Sequence, residues 1–220
     1  MKLLDLFCCA GGAGMGYHRA GFEVVGVDIN PQPNYPFEFH QGDALEFLAR
    51  HGHEFDAIHA SPPCQASCTL IKGNQRATAG NHVNLILDTR GLLAEFDVPT
   101  AMENVQGSDL RRDLTLCGEM FGLGVIRHRY FEINGVDVEQ PDHKPHRGRV
   151  AGYRHGEWFE GPYFAVYGDG GGKGTVAQWQ QAMGIGWTNV RREIAEAIPP
   201  AYTEFIGRQL VGALQAQVRI

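Results

Sequence analysis

The stretch KLLDLFCCAGGAGMGYHRAGFEVVGVDIN, residues 2–30, decides the fold because a glycine-rich turn separates two apolar runs. The runs at residues 2–7 and 22–30 have the length and composition of buried strands, and YHRAG at 17–21 predicts the start of a helix between them. Two strands joined in this way lie parallel in one sheet, with a right-handed crossover. The opening therefore predicts a parallel α/β sheet.

The same alternation continues to residue 132. GDALEFLARHG (42–52) predicts an amphipathic helix, FDAIHA (55–60) a strand, residues 82–96 a helix and VPTAMENV (98–105) a buried strand. We therefore expect an α/β fold with a doubly wound, mostly parallel sheet.

The pattern changes after residue 132. Residues 133–174 are rich in Gly, His, Pro and aromatic residues, which predicts a small irregular insertion. The spacing of Thr175 and Gln178 predicts a capping box at the start of the next helix, and the last helix is expected from about Thr203. We therefore divide the chain into a main domain (1–132 and 175–220) and the insertion (133–174).

Composition excludes several classes of protein. No apolar run reaches the ~18–20 residues of a membrane span, so we expect no membrane partner and an intracellular location. The formal net charge of −6 gives the whole chain no general attraction for nucleic acid. The five cysteines include no CxxC pair, so we expect reduced thiols, no disulfide framework and no metal site.

Two acids and the glycine-rich turn indicate a nucleoside ligand. A glycine-rich turn between a strand and a helix lets a ligand approach the backbone and the positive end of the helix dipole. Asp28 ends the second strand and can bind ribose hydroxyls, while Asp43 follows the third strand region and can accept a hydrogen bond from an adenine amino group. A nicotinamide dinucleotide, an adenine nucleotide and S-adenosylmethionine all suit this pattern.

A second turn carries a thiol. SPPCQ (61–65) follows the strand FDAIHA, and Pro62 and Pro63 fix the backbone and end that strand. A stiff turn at the end of a strand holds a side chain still, as a nucleophile requires. Cys64 is therefore the candidate nucleophile.

Five motifs together resemble a known family. DLFCCAGGAGMGYHRAGF (5–22), SPPCQ (61–65) and MENV (102–105) resemble, in order, the cofactor turn, nucleophile turn and glutamate motif of the cytosine-5 DNA methyltransferases. RHR (127–129) and EAIPPAY (196–202) are similar to two later motifs of that family. The resemblance spans nearly the whole chain and implies a Rossmann-like, S-adenosylmethionine-dependent methyltransferase fold.

The resemblance implies four catalytic residues. The Cys64 thiolate would add to carbon 6 of cytosine and make carbon 5 nucleophilic. Glu103 would stabilise charge at ring nitrogen 3, although a buried ion pair is the alternative role for this residue. Arg129 would bind the carbonyl oxygen of the ring, and Arg127 would support the catalytic loop.

The resemblance also implies the cofactor site. S-adenosylmethionine would bind along the turns that follow the first strands, with Phe7 stacked on adenine. The expected contacts are Phe7, Gly11, Gly12, Asp28, Ile29, Asp43, Ala44 and Pro62.

The implied substrate is double-stranded DNA, from which the target base must be flipped. Residues 141–155 hold four basic residues against one acid, with three histidines, where the family carries its target-recognition region. Arg147, Arg149 and Arg154 are the expected DNA contacts. Because so small a module buries about 600–1,000 Å² on DNA, we expect a short target of about two to four base pairs. We also expect a monomer, located in the cytoplasm of a prokaryotic or viral host cell.

Other functions stay open at this stage. RNA or a free nucleotide could replace DNA as the substrate. A non-catalytic nucleoside-binding module would keep the glycine turn but would not need Cys64, Glu103 and the arginines together. A nicotinamide-dependent oxidoreductase is disfavoured because the turn lacks the G-x-G-x-x-G spacing.

Overall fold

The structure, a computed structural model, describes residues 1–63, 84–168 and 172–217. Its main sheet has seven strands in the order β3-β2-β1-β4-β5-β7-β6. These are β1 Lys2–Leu6, β2 Glu23–Asp28, β3 Glu38–Gln41, β4 Ala57–Ala60, β5 Thr100–Val105, β6 Leu114–Leu116 and β7 Arg129–Asn134. The first five strands are parallel, and β7 pairs antiparallel with both β5 and β6.

The helices cover both faces of this sheet. They are α1 Gly12–Arg19, α2 Ala44–His51, α3 Ile86–Leu93, α4 Val176–Met183, α5 Arg191–Glu196 and α6 Pro200–Gln217. Because side chains of a strand alternate between faces, Leu3 packs in the core that contains residues of α1 and α6, and Leu4 packs in the core that contains residues of α2 and α3. The predicted doubly wound α/β fold is confirmed.

Helix α1 begins earlier than predicted. The sequence placed its start at YHRAG, but the helix already includes the glycine-rich residues from Gly12 onward. Close packing explains the difference, because a Cβ at Gly16 would lie 2.1 Å from both Pro200 O and Thr203 Oγ1 of α6. Tertiary contact with α6 therefore outweighs the low helix propensity of glycine. Helix α6 in turn begins at Pro200, three residues before the predicted start, with proline in its first turn.

The insertion contains more regular structure than predicted. It forms a three-stranded sheet from β8 Val150–Arg154, β9 Glu157–Phe159 and β10 Tyr163–Phe164, in the order β10-β8-β9. The expected boundary at residue 132 falls within β7. The capping box is confirmed, since Gln178 N donates to Thr175 Oγ1 at 3.2 Å and Thr175 N donates to Gln178 Oε1 at 2.8 Å.

A membrane-spanning helix is also absent from the described residues. Within 1–63, 84–168 and 172–217, no helix combines the length and the apolar character needed to cross a bilayer.

Candidate active site

The two predicted functional turns lie side by side at the carboxyl edge of the main sheet. β1 has β2 on one side and β4 on the other, so the strand order reverses at this point. Leu6 pairs with Ala60 at the ends of the two strands, and Ser61 N donates to Leu6 O at 3.1 Å. In doubly wound sheets, ligands bind in the crevice at such a reversal. The fold therefore places the glycine turn and the Ser-Pro-Pro turn next to one ligand-binding crevice.

The glycine turn after β1 has an unusual backbone. Phe7 and Cys9 have positive φ values of 58° and 45°, and Gly11 has a φ of 83°. Non-glycine residues in this region cost of order 1 kcal/mol each, and such strain concentrates at ligand sites. The indole Nε1 of Trp187 donates to Ala10 O at 2.8 Å and helps to hold the turn.

Asp28, the last residue of β2, supports the glycine turn. Its Oδ2 accepts from Cys9 N at 3.0 Å, and its Oδ1 accepts from Asn30 N at 2.9 Å. Each carboxylate oxygen keeps a second lone pair for ribose hydroxyls. Ile29 beside it is 63% exposed, which leaves an apolar surface next to the carboxylate. This combination of donors, acceptors and apolar surface fits a nucleoside such as that of S-adenosylmethionine.

The other predicted cofactor contacts have structural partners of their own. Asp43 caps α2, since its Oδ1 accepts from Leu45 N and Glu46 N at 2.8 and 2.9 Å. Its second oxygen has no partner among the described residues and is available to an adenine amino group. Ala44 is buried in the first turn of α2, and a Cβ at Gly12 would lie 2.4 Å from Ile198 O. Ala44 and Gly12 therefore contribute to packing as well as to the predicted site.

A buried carboxyl lies beneath the glycine turn. Asp5 is fully buried in β1, and burial raises its pKa to about 8. Tyr35 OH donates to its Oδ2 at 3.1 Å, while Oδ1 has no partner among the described residues. Burial therefore favours the protonated form of Asp5.

The nucleophile turn is fastened to β5. Cys64 lies outside the described residues, but Ser61, Pro62 and Pro63 immediately before it are described. The side-chain amide of Asn104 donates to Pro62 O at 2.9 Å in a buried hydrogen bond. The glutamate motif of β5 therefore fixes the backbone two residues before the predicted nucleophile.

A buried chain of polar side chains leads to Glu103. Tyr17 OH bonds to His59 Nδ1 at 3.0 Å, and His59 Nε2 bonds to Ser61 Oγ at 2.9 Å. The Ser61 hydroxyl in turn acts on Glu103, whose pKa it lowers. Burial lowers the pKa of His59 to about 3, so its imidazole is neutral at pH 7. A neutral tautomer that accepts from Tyr17 and donates to Ser61 satisfies both ring nitrogens.

Glu103 is buried and paired with Arg129. Arg129 Nε lies 2.8 Å from Glu103 Oε1. Burial raises the pKa of Glu103, whereas the charges of Arg129 and Arg127 and the Ser61 hydrogen bond act in the opposite direction. The ion pair that was the alternative role for Glu103 is thus present, and it brings two predicted catalytic residues together.

Arg127 is held between separate parts of the fold. Its Nη1 donates to Val166 O at 2.9 Å and its Nη2 to Ala195 O at 2.7 Å. Its own carbonyl accepts from Tyr202 OH at 2.5 Å. Burial lowers the pKa of Arg127 to about 9, which leaves the guanidinium charged at pH 7. This geometry suits the supporting role predicted for Arg127.

An open cleft of about 990 Å³ lies between the main sheet and the insertion. Arg127, Arg129, Arg154 and Arg192 line it together with Glu196 and residues 164–168. Arg154 therefore lies at the cleft. Arg147 and Arg149 do not line it; both are exposed, and neither side chain has a partner among the described residues.

Sequence reasoning missed four residues of this site, namely His59, Ser61, Asn104 and Trp187. Asn104 could have been found, since it belongs to MENV beside Glu103. His59 and Trp187 give no local signal, because their partners are distant in the chain.

These features define a Rossmann-like methyltransferase fold with its ligand crevice at the strand reversal. The model for the C-5 cytosine-specific DNA methylases matches residues 1–113, more than half of the 220-residue chain. The chain belongs to this family.

Several bacterial proteins have similar sequences. Type II methyltransferase M.HgiDI of Herpetosiphon aurantiacus is 30% identical over 126 residues, which cover 51% of this chain and 39% of that protein. Type II methyltransferase M.FnuDI of Fusobacterium nucleatum is 34% identical over 73 residues, or 30% of this chain and 21% of that protein. The matched segments thus span well under half of these relatives.

Solved structures share the fold over the whole chain. A protein described as a DNA modification methyltransferase encoded within an E. coli prophage superposes with a TM-score of 0.63 at 15% identity, covering 98% of this chain and 99% of that one. Dnmt2 methyltransferase of S. pombe superposes with a TM-score of 0.62 at 13% identity, covering 100% of both chains.

Proposed function

We propose that this protein transfers a methyl group from S-adenosylmethionine to carbon 5 of cytosine in double-stranded DNA, at a short target sequence. The observation that carries the proposal is the junction of β4 and β5, where the side chain of Asn104 holds the Pro62 carbonyl and the neighbouring Glu103 is buried and paired with Arg129. This junction fixes the backbone that leads to Cys64, and it places the acid Glu103 next to Asn104, the residue that holds that backbone. A nucleoside-binding module without catalysis has no need of such an arrangement.

The chemistry divides between a nucleophile and an acid. The Cys64 thiolate attacks carbon 6 of cytosine, and negative charge develops toward ring nitrogen 3. Glu103, whose pKa burial raises, donates a proton or a strong hydrogen bond to that nitrogen. Arg129, already 2.8 Å from Glu103, is placed to bind the ring carbonyl oxygen. Carbon 5 would then bond to the methyl group while the sulfonium sulfur keeps the bonding electrons. Water would take the carbon 5 proton, and elimination of the thiolate, with return of the ring-nitrogen proton to Glu103, would complete the reaction.

The residues at the crevice suit the proposed cofactor. S-adenosylmethionine supplies an electrophilic methyl group when it is bound. Asp28 offers carboxylate lone pairs to the ribose, and the exposed Ile29 offers apolar surface to the adenine. Phe7 lies in the strained turn from which its ring can stack on the adenine.

The cleft suits a flipped base and its phosphates. Its volume of about 990 Å³ exceeds what one nucleotide requires, and the arginines along it supply positive charge. Arg147 and Arg149 stand free on the insertion, where they can neutralise phosphates. A cytoplasmic location and a monomeric state belong to the same proposal.

The proposal is tested with S-adenosylmethionine labelled in its methyl group. The protein is incubated separately with duplex DNA, single-stranded DNA, transfer RNA and dCMP, and methylated positions are mapped at base resolution. The expected result is label at carbon 5 of cytosine in duplex DNA, within a short common sequence. Label found only in RNA or only in dCMP would show that this molecule, and not duplex DNA, is the substrate. Label in none of the four would contradict the proposed activity.

A further inference from the structure

Four potential metal ligands meet where the insertion joins the main sheet. Cys117 directly follows β6, His128 directly precedes β7, and His143 and His146 lie between β7 and β8. One ligand atom from each of these residues lies within 4.8 Å of the ligand atoms of the other three. The sequence separates them into three segments, so only the fold brings them together.

The distances approach those of a tetrahedral site. His146 Nε2 lies 3.3 Å from His128 Nε2 and 3.8 Å from Cys117 Sγ. Two nitrogens bound tetrahedrally to Zn²⁺ at 2.0–2.1 Å are roughly 3.4 Å apart, and a nitrogen and a sulfur roughly 3.6 Å apart. The ring centroid of His143 lies 4.7 Å from that of His146 and 5.1 Å from that of His128. The cluster is therefore already close to the spacing that one ion requires.

The surroundings of His146 orient it as a ligand. Its Nδ1 is hydrogen-bonded to Glu119 Oε2, and Tyr163 OH donates to Glu119 Oε1 at 2.6 Å. With the proton on Nδ1, the Nε2 lone pair points at His128 and Cys117. Metal-binding histidines commonly donate their second nitrogen to a carboxylate in this way. Each contact of His146 Nε2 with His128 Nε2 or Cys117 Sγ can hold a proton, and a cation at the centre of the cluster would take the place of these protons.

We propose that Cys117, His128, His143 and His146 bind one Zn²⁺ ion in a structural site that fastens the insertion to the antiparallel edge of the main sheet. Thiolate and imidazole are the ligands that Zn²⁺ favours, and four protein ligands close the coordination shell, as in structural sites. The expectation of no metal site relied on the missing CxxC spacing, which this arrangement does not need. The site stands on its own geometry and does not depend on the proposed methylation.

The position of the site gives the metal a definite effect. His128 lies between Arg127 and Arg129, so its ligation fixes the start of β7 beside the candidate active site. His146 directly precedes Arg147, so its ligation also fixes the start of the basic segment. Metal binding would therefore order both the cleft and the basic segment that begins at Arg147.

Metal content provides the first test. The full chain is expressed in zinc-supplemented medium, purified without chelators and analysed for metals by mass spectrometry. We expect about one Zn²⁺ per chain, with a severalfold loss in His143→Ala and in Cys117→Ser. His53→Ala, which changes an exposed histidine of the 3₁₀ helix Gly52–Glu54, should keep the full content. Equal zinc content in wild type, His143→Ala and Cys117→Ser would overturn the proposal.

Cobalt substitution in the wild type keeps the test valid even where a variant fails to fold. Co²⁺ added to chelator-treated protein should give the intense visible bands of tetrahedral coordination and a near-ultraviolet thiolate-to-cobalt transition. Addition of Zn²⁺ should abolish both. A weak octahedral spectrum, or wild-type protein that contains no zinc and binds neither added ion, would overturn the site.

Discussion

The carboxyl edge of the main sheet and the insertion both border the cleft, yet they are held in different ways. At the edge, the buried polar side chains of His59, Glu103 and Asn104 each bond to a neighbouring side chain or to the backbone of the nucleophile turn. In the insertion, seven of the eight residues of β8 and β9 are exposed or only partly buried. The basic side chains of Arg147 and Arg149 have no partners among the described residues. We infer that the protein itself preorganises the edge, whereas ligands must order the insertion.

The largest expected loss of activity comes from a substitution at the carboxyl edge of the main sheet. Glu103→Gln removes the acid and the ion pair with Arg129, so methyl transfer should fall by about 10²–10⁴-fold, the usual contribution of a general acid. The rate is measured with labelled cofactor, and circular dichroism checks folding. Glu95→Gln changes an exposed acid after α3 and should leave the rate unchanged. A Glu103→Gln rate within a few-fold of wild type would leave Glu103 with a purely structural role.

Two buried titratable groups, His59 and Asp5, should make the stability of the protein depend on pH. His59 has a folded pKa of about 3, below its ordinary 6.5, so below pH 6.5 the unfolded chain takes up a proton that the folded chain does not. His59 therefore lowers stability as pH falls, by up to about 1.4 kcal/mol per pH unit. His59→Gln should gain stability relative to wild type between pH 6.5 and about 4, as measured by urea unfolding.

Asp5 should show the opposite sign. Its folded pKa is raised to about 8 from 3.8, so the folded chain keeps a proton that the unfolded chain loses, and stability falls as pH rises through this range. Asp5→Asn should therefore gain stability relative to wild type as pH rises from about 4 to 8. If the difference in stability between either variant and the wild type does not change with pH, the substituted group is not buried in the protonation state described.

Loss of the hydrogen bond from Asn104 to the nucleophile turn should reduce activity less than loss of Glu103. Asn104→Ala removes the hydrogen bond to Pro62 O, so kcat should fall by about 10–100-fold, or roughly 1.4–2.7 kcal/mol, with cofactor affinity nearly unchanged. The matched control is Asn134→Ala, whose amide bonds to Thr100 Oγ1 at the opposite end of β5. Equal kcat values for the two variants would show that the hydrogen bond to Pro62 O has no specific effect on catalysis.

The smallest effect is expected on the insertion. Because the side chains of Arg147 and Arg149 are free, their replacement by Ala should weaken DNA binding and reduce the salt slope of log K by about one or two, without a change in cofactor affinity. Binding is measured by fluorescence anisotropy over a range of salt concentrations. Replacement of Arg19 and Arg50, two exposed arginines on α1 and α2, serves as the control. An unchanged slope in the first double variant would place the phosphate contacts elsewhere.

The same contrast explains what the sequence could predict. Local patterns predicted the strands at 2–7, 22–30, 55–60 and 98–105 and the capping box at Thr175, because strand periodicity and turn chemistry depend on neighbouring residues. They did not reveal the Asn104–Pro62 bond or the link from Tyr17 to His59, since each joins residues 42 positions apart. The early start of α1 and the meeting of Cys117 with His128, His143 and His146 likewise depend on packing between distant segments.

The central claim is that Cys64 attacks cytosine in duplex DNA, and covalent trapping tests it most directly. In a duplex whose cytosines carry fluorine at carbon 5, methyl transfer leaves no proton to remove, so the thiolate cannot be eliminated. With S-adenosylmethionine, the wild type should form a denaturation-resistant protein–DNA complex whose cross-linked peptide contains Cys64. Cys64→Ser should form none while still binding the cofactor. A complex linked through another residue, or normal methylation by Cys64→Ser, would contradict the account.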